Sequence, residues 1–534
     1  MTHLLLSTVF GPFGNSNAGE GKSVGAELFH KQITRAQGVF SIRQMIRGWG
    51  LDYIAANLKT PSTVLHYPTV KMFRQELREH HYTHIGIHFV VATLHRMQEM
   101  VKIIRQESPH SKIILGGYGT VLPDELLSPL GDYICREEGI VYMRRLLGEN
   151  ENEPIRHPYA PVKSPRIISM TQPEVVGHIT GGLGCPNGCD FCSTSHFFAC
   201  QYHPFITNGR EMYAQLVNQY ETARKLGKEM VHVSLIDEDF FVNETRAREY
   251  LQTLRENPVN MSIMGFGSIR SLSKYTGQEI AEMGFDILWI GLEGEHAHFD
   301  KLNGRDPAEL FRDLRDHGIC ILASSIIGLP YQTPDIIQKE FLRGLSLNPC
   351  FSQYLIYFGF PGTPLYRRAE AEHLFRPEYA TTKDWKKWDG FAQHFIYDAF
   401  KDGELEKIQE ELYNEETRRL GASIFRVCET WLDAIPKLEA SDSLLLHMRA
   451  KRLRGMVAKI RPILPMGTWM APSLEVKKKI KGISQKFNDI IGPWPLIDRC
   501  RAVGAPIMGA WTYFAERLGL DNMAKPIRVE SHEL

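Results

Sequence analysis

The sequence predicts an α/β protein in three parts: a doubly wound, parallel-sheet domain, a partial (β/α)6 barrel, and a helical C-terminal domain. Three observations predict it. From residue 4 to about 147, short apolar runs alternate with helix-length segments, the pattern of parallel strands joined by helical crossovers. A second alternating series starts near residue 175 and offers six strand candidates separated by helix-length stretches. After about residue 399 long helical stretches take over, at 403–432, 443–460 and 476–491. A chain of 534 residues is too long for one ordinary core and suits this division.

In the first part, residues 4–10 read as a strand that opens into a Gly- and Asn-rich loop at 11–21. Strands follow at 85–91, at 112–115 ending in Gly116-Gly117, and at 132–135, the last leading into a helix through Leu147. Residues 149–173 are polar and proline-rich and read as a linker. The barrel strands are expected at 178–180, 231–236, 262–265, 287–291, 319–327 and 353–358. The expected domains are therefore 1–148, 174–399 and 400–534, with the linker between the first two.

Lys+Arg and Asp+Glu both number 62, so no overall field favours nucleic acid, and none is expected as a partner. The N-terminus lacks the basic start and apolar run of a signal peptide, and no apolar stretch reaches the roughly 18 residues that span a bilayer. A cytoplasmic location is expected. Nine cysteines, an odd number scattered along the chain, do not form a disulfide framework.

Three of those cysteines lie within eight residues: Cys185-Pro-Asn-Gly-Cys189-Asp-Phe-Cys192, directly after an expected strand and a run of glycines. Thiolates are the natural ligands of iron–sulfur clusters, and one loop can reach three corners of a cube. The fourth iron is then open to a chelating small molecule. A zinc site completed by His196 or Cys200 is the competing reading, although structural zinc sites usually use two separated ligand pairs.

The Cys-x3-Cys-x2-Cys spacing, with Phe191 before the last cysteine, resembles the signature of radical S-adenosylmethionine (radical SAM) enzymes. The resemblance implies a 4Fe–4S cluster on Cys185, Cys189 and Cys192. Its open iron would chelate the amino and carboxylate groups of S-adenosylmethionine. Reductive cleavage would yield a 5′-deoxyadenosyl radical that removes hydrogen from substrate. Further segments match the family's order. Glu238 and Asp239, after the second barrel strand, resemble the motif that holds the methionine amine. Arg270, after the third, suits bidentate binding of the methionine carboxylate. Glu293, in Gly291-Leu-Glu293, resembles the carboxylate that bonds the ribose hydroxyls, and Gly328 sits in the segment whose backbone reads adenine. Phe360-Pro-Gly-Thr-Pro-Leu-Tyr366 looks like the stretch that ends such barrels. For each of these polar residues the bland alternative is an ordinary turn or a surface ion pair.

The N-terminal segments, with Gly116-Gly117 leaving a strand, are similar to cobalamin-binding domains fused to radical SAM barrels. Many of those carry Asp-x-His-x-x-Gly after the first strand, whereas loop 11–21 here holds no histidine. Some relatives bind cobalamin without that ligand, and others keep the domain without the cofactor. In the C-terminal region, residues 436–534 hold 17 Lys+Arg against 9 Asp+Glu. A basic amphipathic stretch at 447–461 suits either an anionic membrane surface or an ordinary solvated face.

The resemblance implies an enzyme acting on an unactivated carbon, by methyl transfer or carbon–carbon bond or ring chemistry. The substrate would be a small, hydrophobic or lipid molecule, the electron donor a protein such as flavodoxin or ferredoxin, and peripheral membrane contact is possible on this reading. A tRNA methylthiotransferase needs three further N-terminal cysteines, and Cys135 is the only one before Cys185. A non-catalytic iron–sulfur or zinc binding protein is the remaining alternative.

Overall fold

The computed structural model describes residues 3–11, 28–44, 46–168, 174–381, 383–518 and 526–534. Apart from Gly11, the expected loop at 11–21 lies outside the described residues.

Strands β1 (Leu4–Thr8), β2 (Ser62–His66), β3 (His84–His88), β4 (Lys112–Gly116) and β5 (Tyr133–Ile134) are parallel and run in the order β2-β1-β3-β4-β5. Sequence reading missed β2. Its five residues, Ser62-Thr-Val-Leu-His66, are all buried, so no polar–apolar alternation marks them. Helices Trp49–Ala56 and Gly139–Leu146 cover one face, packing Leu51, Ala55 and Met143 on Leu4, Leu6, Val64 and Ile114. Helices Val70–Glu79 and Leu94–Glu107 cover the other, through Phe73, Leu77, Met97 and Met100. The strand order reverses between β1 and β3, which opens a crevice at their carboxyl ends, the usual ligand position in such sheets.

The second sheet is the curled half-barrel. It contains β6 (Val162–Lys163) and β7 (Val175–Thr180). A short hairpin of β8 (Gly182–Leu183) and β9 (His203–Pro204) interrupts the chain before the sheet resumes. Then come β10 (Met230–Ile236), β11 (Ile263–Gly267), β12 (Phe285–Glu293), β13 (Cys320–Ile327) and β14 (Phe351–Ile356). The order is β14-β13-β12-β11-β10-β7-β6, with six parallel strands and β6 antiparallel at the edge. Helices such as Gly209–Lys225, Glu244–Glu256, Pro307–Asp316 and Pro334–Ser346 form the outer layer.

Two segments lie away from their neighbours in sequence. Residues 28–44 leave the first sheet and enter the barrel core, where the Phe29 ring lies 6.1 Å from Phe351 and Gln32 accepts a 2.6 Å hydrogen bond from Gln353. At the other end of the chain, β15 (Ile527–Glu530) pairs antiparallel with β2. Arg528 clamps it there with 2.9 and 3.0 Å bonds to Glu76.

The remaining C-terminal residues are helical. Gly421, at φ 78°, divides the stretch expected at 403–432 into helices Glu404–Leu420 and Ser423–Glu439. In the basic helix Leu444–Ile460, Lys451 stays exposed while the other cations pair within the protein. Arg449, fully buried, and Arg452 pair with Asp286 near the start of β12 at 2.7 and 2.5 Å, Arg454 pairs with Glu439, and Lys459 with Glu174. The pairs with Asp286 and Glu174 fasten the helix to the amino end of the barrel, so most of the cations at 447–461 are taken up within the protein. No helix among the described residues is long and apolar enough to cross a membrane.

Candidate functional site

The cysteine loop leaves the carboxyl end of β7 and is closed at its base by the β8–β9 hairpin. Gly184 and Gly188 take φ values of 83° and 63°, and a Cβ on Gly184 would lie 2.1 Å from the Gln201 carbonyl, so glycine is required there. The loop is tied to the short helix behind it. Ser195 Oγ donates to the Cys185 carbonyl at 2.9 Å, His196 Nε2 lies 3.1 Å from the Cys189 carbonyl, and the Cys192 amide donates to that same carbonyl at 3.0 Å. A second anchor comes from the end of the barrel. The Leu365 amide, within Pro364-Leu-Tyr366, donates to the Asp190 carbonyl at 3.1 Å, and Tyr357 donates to its carboxylate.

Burial pushes all three thiols up, Cys189 to about 11 although nearby Lys301 works against the rise. Bare, these cysteines hold protons, and metal binding would have to displace them. Among the described residues no three His, Cys, Asp or Glu side chains gather around a single-ion site. A cubane takes one thiolate per iron and needs no such convergence, so the donor set fits a cluster. Cys200 approaches the loop, its Sγ 3.9 Å from His196 Nδ1, but not as part of a gathered group.

The other candidates lie at or near the carboxyl ends of successive strands, apart from Phe191 in the loop itself. Glu238 follows β10; burial and the Asp237 charge push its carboxyl up to about 7, and its own charge is felt at Cys185 and Cys192. Asp239 accepts a 2.6 Å bond from Ser271, in the turn after β11, through one of its two oxygens. Arg270 in that turn donates to Asn187 at 2.5 Å, in the middle of the cysteine loop. Glu293 ends β12 at φ 55°, past a shift in register, and its carboxylate accepts from Lys301. Phe191 lies between Phe299 and Tyr357, with ring centroids at 5.2 and 6.1 Å, and Lys301 Nζ sits 5.6 Å from its centre. Gly328 follows β13 at φ 83°. Sequence reading missed Lys301 and Asp237. Lys301 lies in a one-turn 3₁₀ helix, Asp300–Leu302, with no motif around it. Asp237 is fully buried and bonded to Arg246 at 2.6 Å and to Tyr202 at 2.8 Å, a fixture under the site.

A cleft of about 220 Å³ opens at the carboxyl ends of β1, β3 and β4. Gly86, Gly116 and Gly117 form its floor, helices Trp49–Ala56 and Gly139–Leu146 one wall, and Phe197, Phe198 and Phe205 of the barrel another. A Cβ on Gly116 would meet nothing within 4 Å, so that glycine faces open space. Gly117 is different: at φ 90° its Cβ would strike the Phe89 carbonyl and the His88 ring. His88 also lines the cleft, and burial lowers its imidazole to about 4, which leaves that ring uncharged. The next residue, Tyr118, packs its ring 5.1 Å from Phe197 and feels the charges of Glu238 and Cys192. The cleft and the cysteine loop are neighbours.

No protein-family model matches this chain. Residues over 62% of it are 19% identical to an uncharacterized methyltransferase of Pyrococcus horikoshii, covering 77% of that protein. A bacteriochlorophyllide d C-12(1)-methyltransferase of Chlorobaculum tepidum is 23% identical over 43% of the chain, which spans half of that relative's length. Among solved structures, that of the radical S-adenosylmethionine methyltransferase TsrM from Kitasatospora setae, with cobalamin and a 4Fe–4S cluster bound, superposes with a TM-score of 0.54. The match is 12% identical and covers 86% of this chain and all of that one. The fold is that of a radical SAM enzyme of the cobalamin-domain class. Within the half-barrel, Cys185, Cys189 and Cys192 follow the first parallel strand, β7, Glu238 and Arg270 follow the next two, and Glu293 ends the fourth.

Proposed function

We propose that this radical SAM protein cleaves S-adenosylmethionine reductively and modifies an unactivated carbon of a small, hydrophobic or lipid substrate, with methyl transfer as the leading outcome. The observation that carries the reading is the meeting of the cysteine loop with Glu238, Arg270 and Glu293, which come from three different strand ends. A 4Fe–4S cluster on the three thiols would supply the electron that breaks the S–C5′ bond, releasing the radical that takes hydrogen from substrate.

The protein's own groups bind and orient. Arg270 offers its guanidinium to the methionine carboxylate, beside the loop to which it is already bonded. Glu238 offers an acceptor to the ammonium, and Glu293, held by Lys301, an acceptor to the ribose hydroxyls. Asp239 accepts from Ser271 through one carboxylate oxygen and offers its other oxygen as a further acceptor for the ammonium. The glycine-floored cleft suits the flat base and sugar of a cobalamin nucleotide tail, and cobalamin there would supply a methyl carrier next to the barrel mouth. The names of the two methyltransferase relatives support transfer of a methyl group.

Anaerobic reconstitution followed by reduction, chemically or with flavodoxin or ferredoxin, tests the reading. Mass spectrometry should then detect 5′-deoxyadenosine from S-adenosylmethionine. A chain carrying a full cluster that yields no 5′-deoxyadenosine would overturn it. Comparing apolar metabolites of a deletion strain and its parent identifies the substrate.

A further inference from the structure

The longest helix of the C-terminal region, Leu496–Arg517, is exposed along one apolar side. Leu496, Val503, Ile507, Trp511 and Phe514, with Leu518 just beyond its end, repeat at steps of three, four and seven residues, so they share one helix face. Val503 is 76% exposed, Ile507 72%, Leu518 70% and Phe514 58%. The opposite side, with Ala505, Thr512 and Ala515, is buried against the body of the protein. The neighbouring Leu464–Trp469 helix, whose Met466 lies against Gly509, ends in Trp469 with 77% of its surface in solvent. Soluble proteins seldom leave a continuous apolar stripe of this length uncovered.

From these observations we infer that the Leu496–Arg517 helix lies flat on an anionic lipid surface, with this stripe immersed among the acyl chains. Twenty-two residues make a helix about 33 Å long, and a face about 10 Å wide gives roughly 300 Å² of apolar contact. That is less than half of the ~800 Å² per partner of a stable protein interface. A second copy packed on this stripe would therefore hold poorly. Shallow insertion into a membrane surface needs only a stripe of this kind with cations around it. Between residues 464 and 518 there are eight Lys and Arg against four Asp and Glu. Arg499 and Arg501, on the helix itself, are exposed, each adding attraction to anionic headgroups. Trp511 and Tyr513 add rings suited to the headgroup boundary. The inference does not depend on the proposed chemistry, since neither cluster nor cleft contributes to the stripe.

Flotation of the full chain with unilamellar vesicles tests it. The chain should float with vesicles of equal phosphatidylcholine and phosphatidylglycerol, and far less with phosphatidylcholine alone. Ile507→Glu with Phe514→Glu should lower the bound fraction roughly tenfold or more. Both side chains are exposed, so circular dichroism and gel filtration should be unchanged. Arg499→Glu with Arg501→Glu should weaken binding in a salt-sensitive way. Absence of binding to either vesicle would overturn the inference. So would a concentration-dependent dimer, seen by light scattering, that the Ile507/Phe514 variant abolishes while vesicles leave the wild type in solution.

Discussion

Lys301 donates a hydrogen bond to Glu293, the residue that ends β12 in a left-handed conformation, and it does so beside the ring of Phe191. Three features of the site meet in that contact: a strained strand end, a buried carboxylate and the aromatic residue of the cysteine loop. Burial lowers the affinity of Lys301 for its proton, but the neighbouring charge, led by Glu293, more than reverses this, so the ammonium stays charged. Glu293→Ala should weaken S-adenosylmethionine binding roughly tenfold or more, the worth of a charged hydrogen bond. It should also remove 5′-deoxyadenosine formation. The cluster spectrum should persist, because Glu293 is not a thiol ligand. Equilibrium binding and absorption spectroscopy on the reconstituted variant check both halves.

The cysteines divide by position. Cys185→Ala, Cys189→Ala and Cys192→Ala should each abolish the 4Fe–4S signal in iron, sulfide and electron paramagnetic resonance analysis. Cys200→Ala should keep it, although Cys200 Sγ is 3.9 Å from His196. Retention of zinc with loss of binding in the Cys200 variant would point instead to a four-ligand zinc site.

Gly116 and Gly117 differ in what a larger side chain would meet. Gly116→Leu should fill open cleft without disturbing the fold, and prevent cobalamin binding judged by the absorption of the purified complex. Gly117→Leu should lower stability as well, since it meets the Phe89 carbonyl at a positive φ. Equal cobalt content in Gly116→Leu and wild type would count against the cleft.

Arg246 and Asp237 form a fully buried pair at 2.6 Å beneath the site. Arg246→Met leaves Asp237 charged and without its cation, at a cost of about 3 kcal/mol. A urea transition should show it as a lower midpoint with an unchanged slope.

The clamp between Arg528 and Glu76 should make β15 acid-sensitive. Burial raises the Glu76 carboxyl, but the bonds from Arg528 and Tyr82 outweigh it and hold the group below the usual carboxylate range. A lowered folded value contributes stability above the unfolded carboxylate pKa and loses it as pH falls through the folded one. With Arg528 partly exposed, the contribution is about 1 kcal/mol. Hydrogen exchange in β15 should accelerate at acid pH before the β1–β3 core opens, and Glu76→Gln should show that faster exchange already at pH 7.

The sequence by itself determined the α/β class, the two strand–helix series, the cysteine loop and the order of Glu238, Arg270 and Glu293 along the barrel. These features are local, because each strand end carries its own residue and the thiol spacing lies within one loop. Only the tertiary structure decided the rest. β2 is buried on both faces and gives no alternation to read, and β15 is a strand only because β2 offers it an edge. Asp239 and Glu238 look alike in sequence, yet Ser271 from the next strand's turn takes one oxygen of Asp239, while Glu238 lies near the thiols. Arg449 and Arg452 look like a cationic surface until Asp286, more than 160 residues away, is placed beneath them. The Leu496–Arg517 helix carries Pro506 and two glycines, which obscure it in sequence, and packing against one side alone is what leaves its other side apolar and exposed. In every case the deciding partner is remote along the chain. A side chain's chemistry is local, but its partner is chosen by the fold.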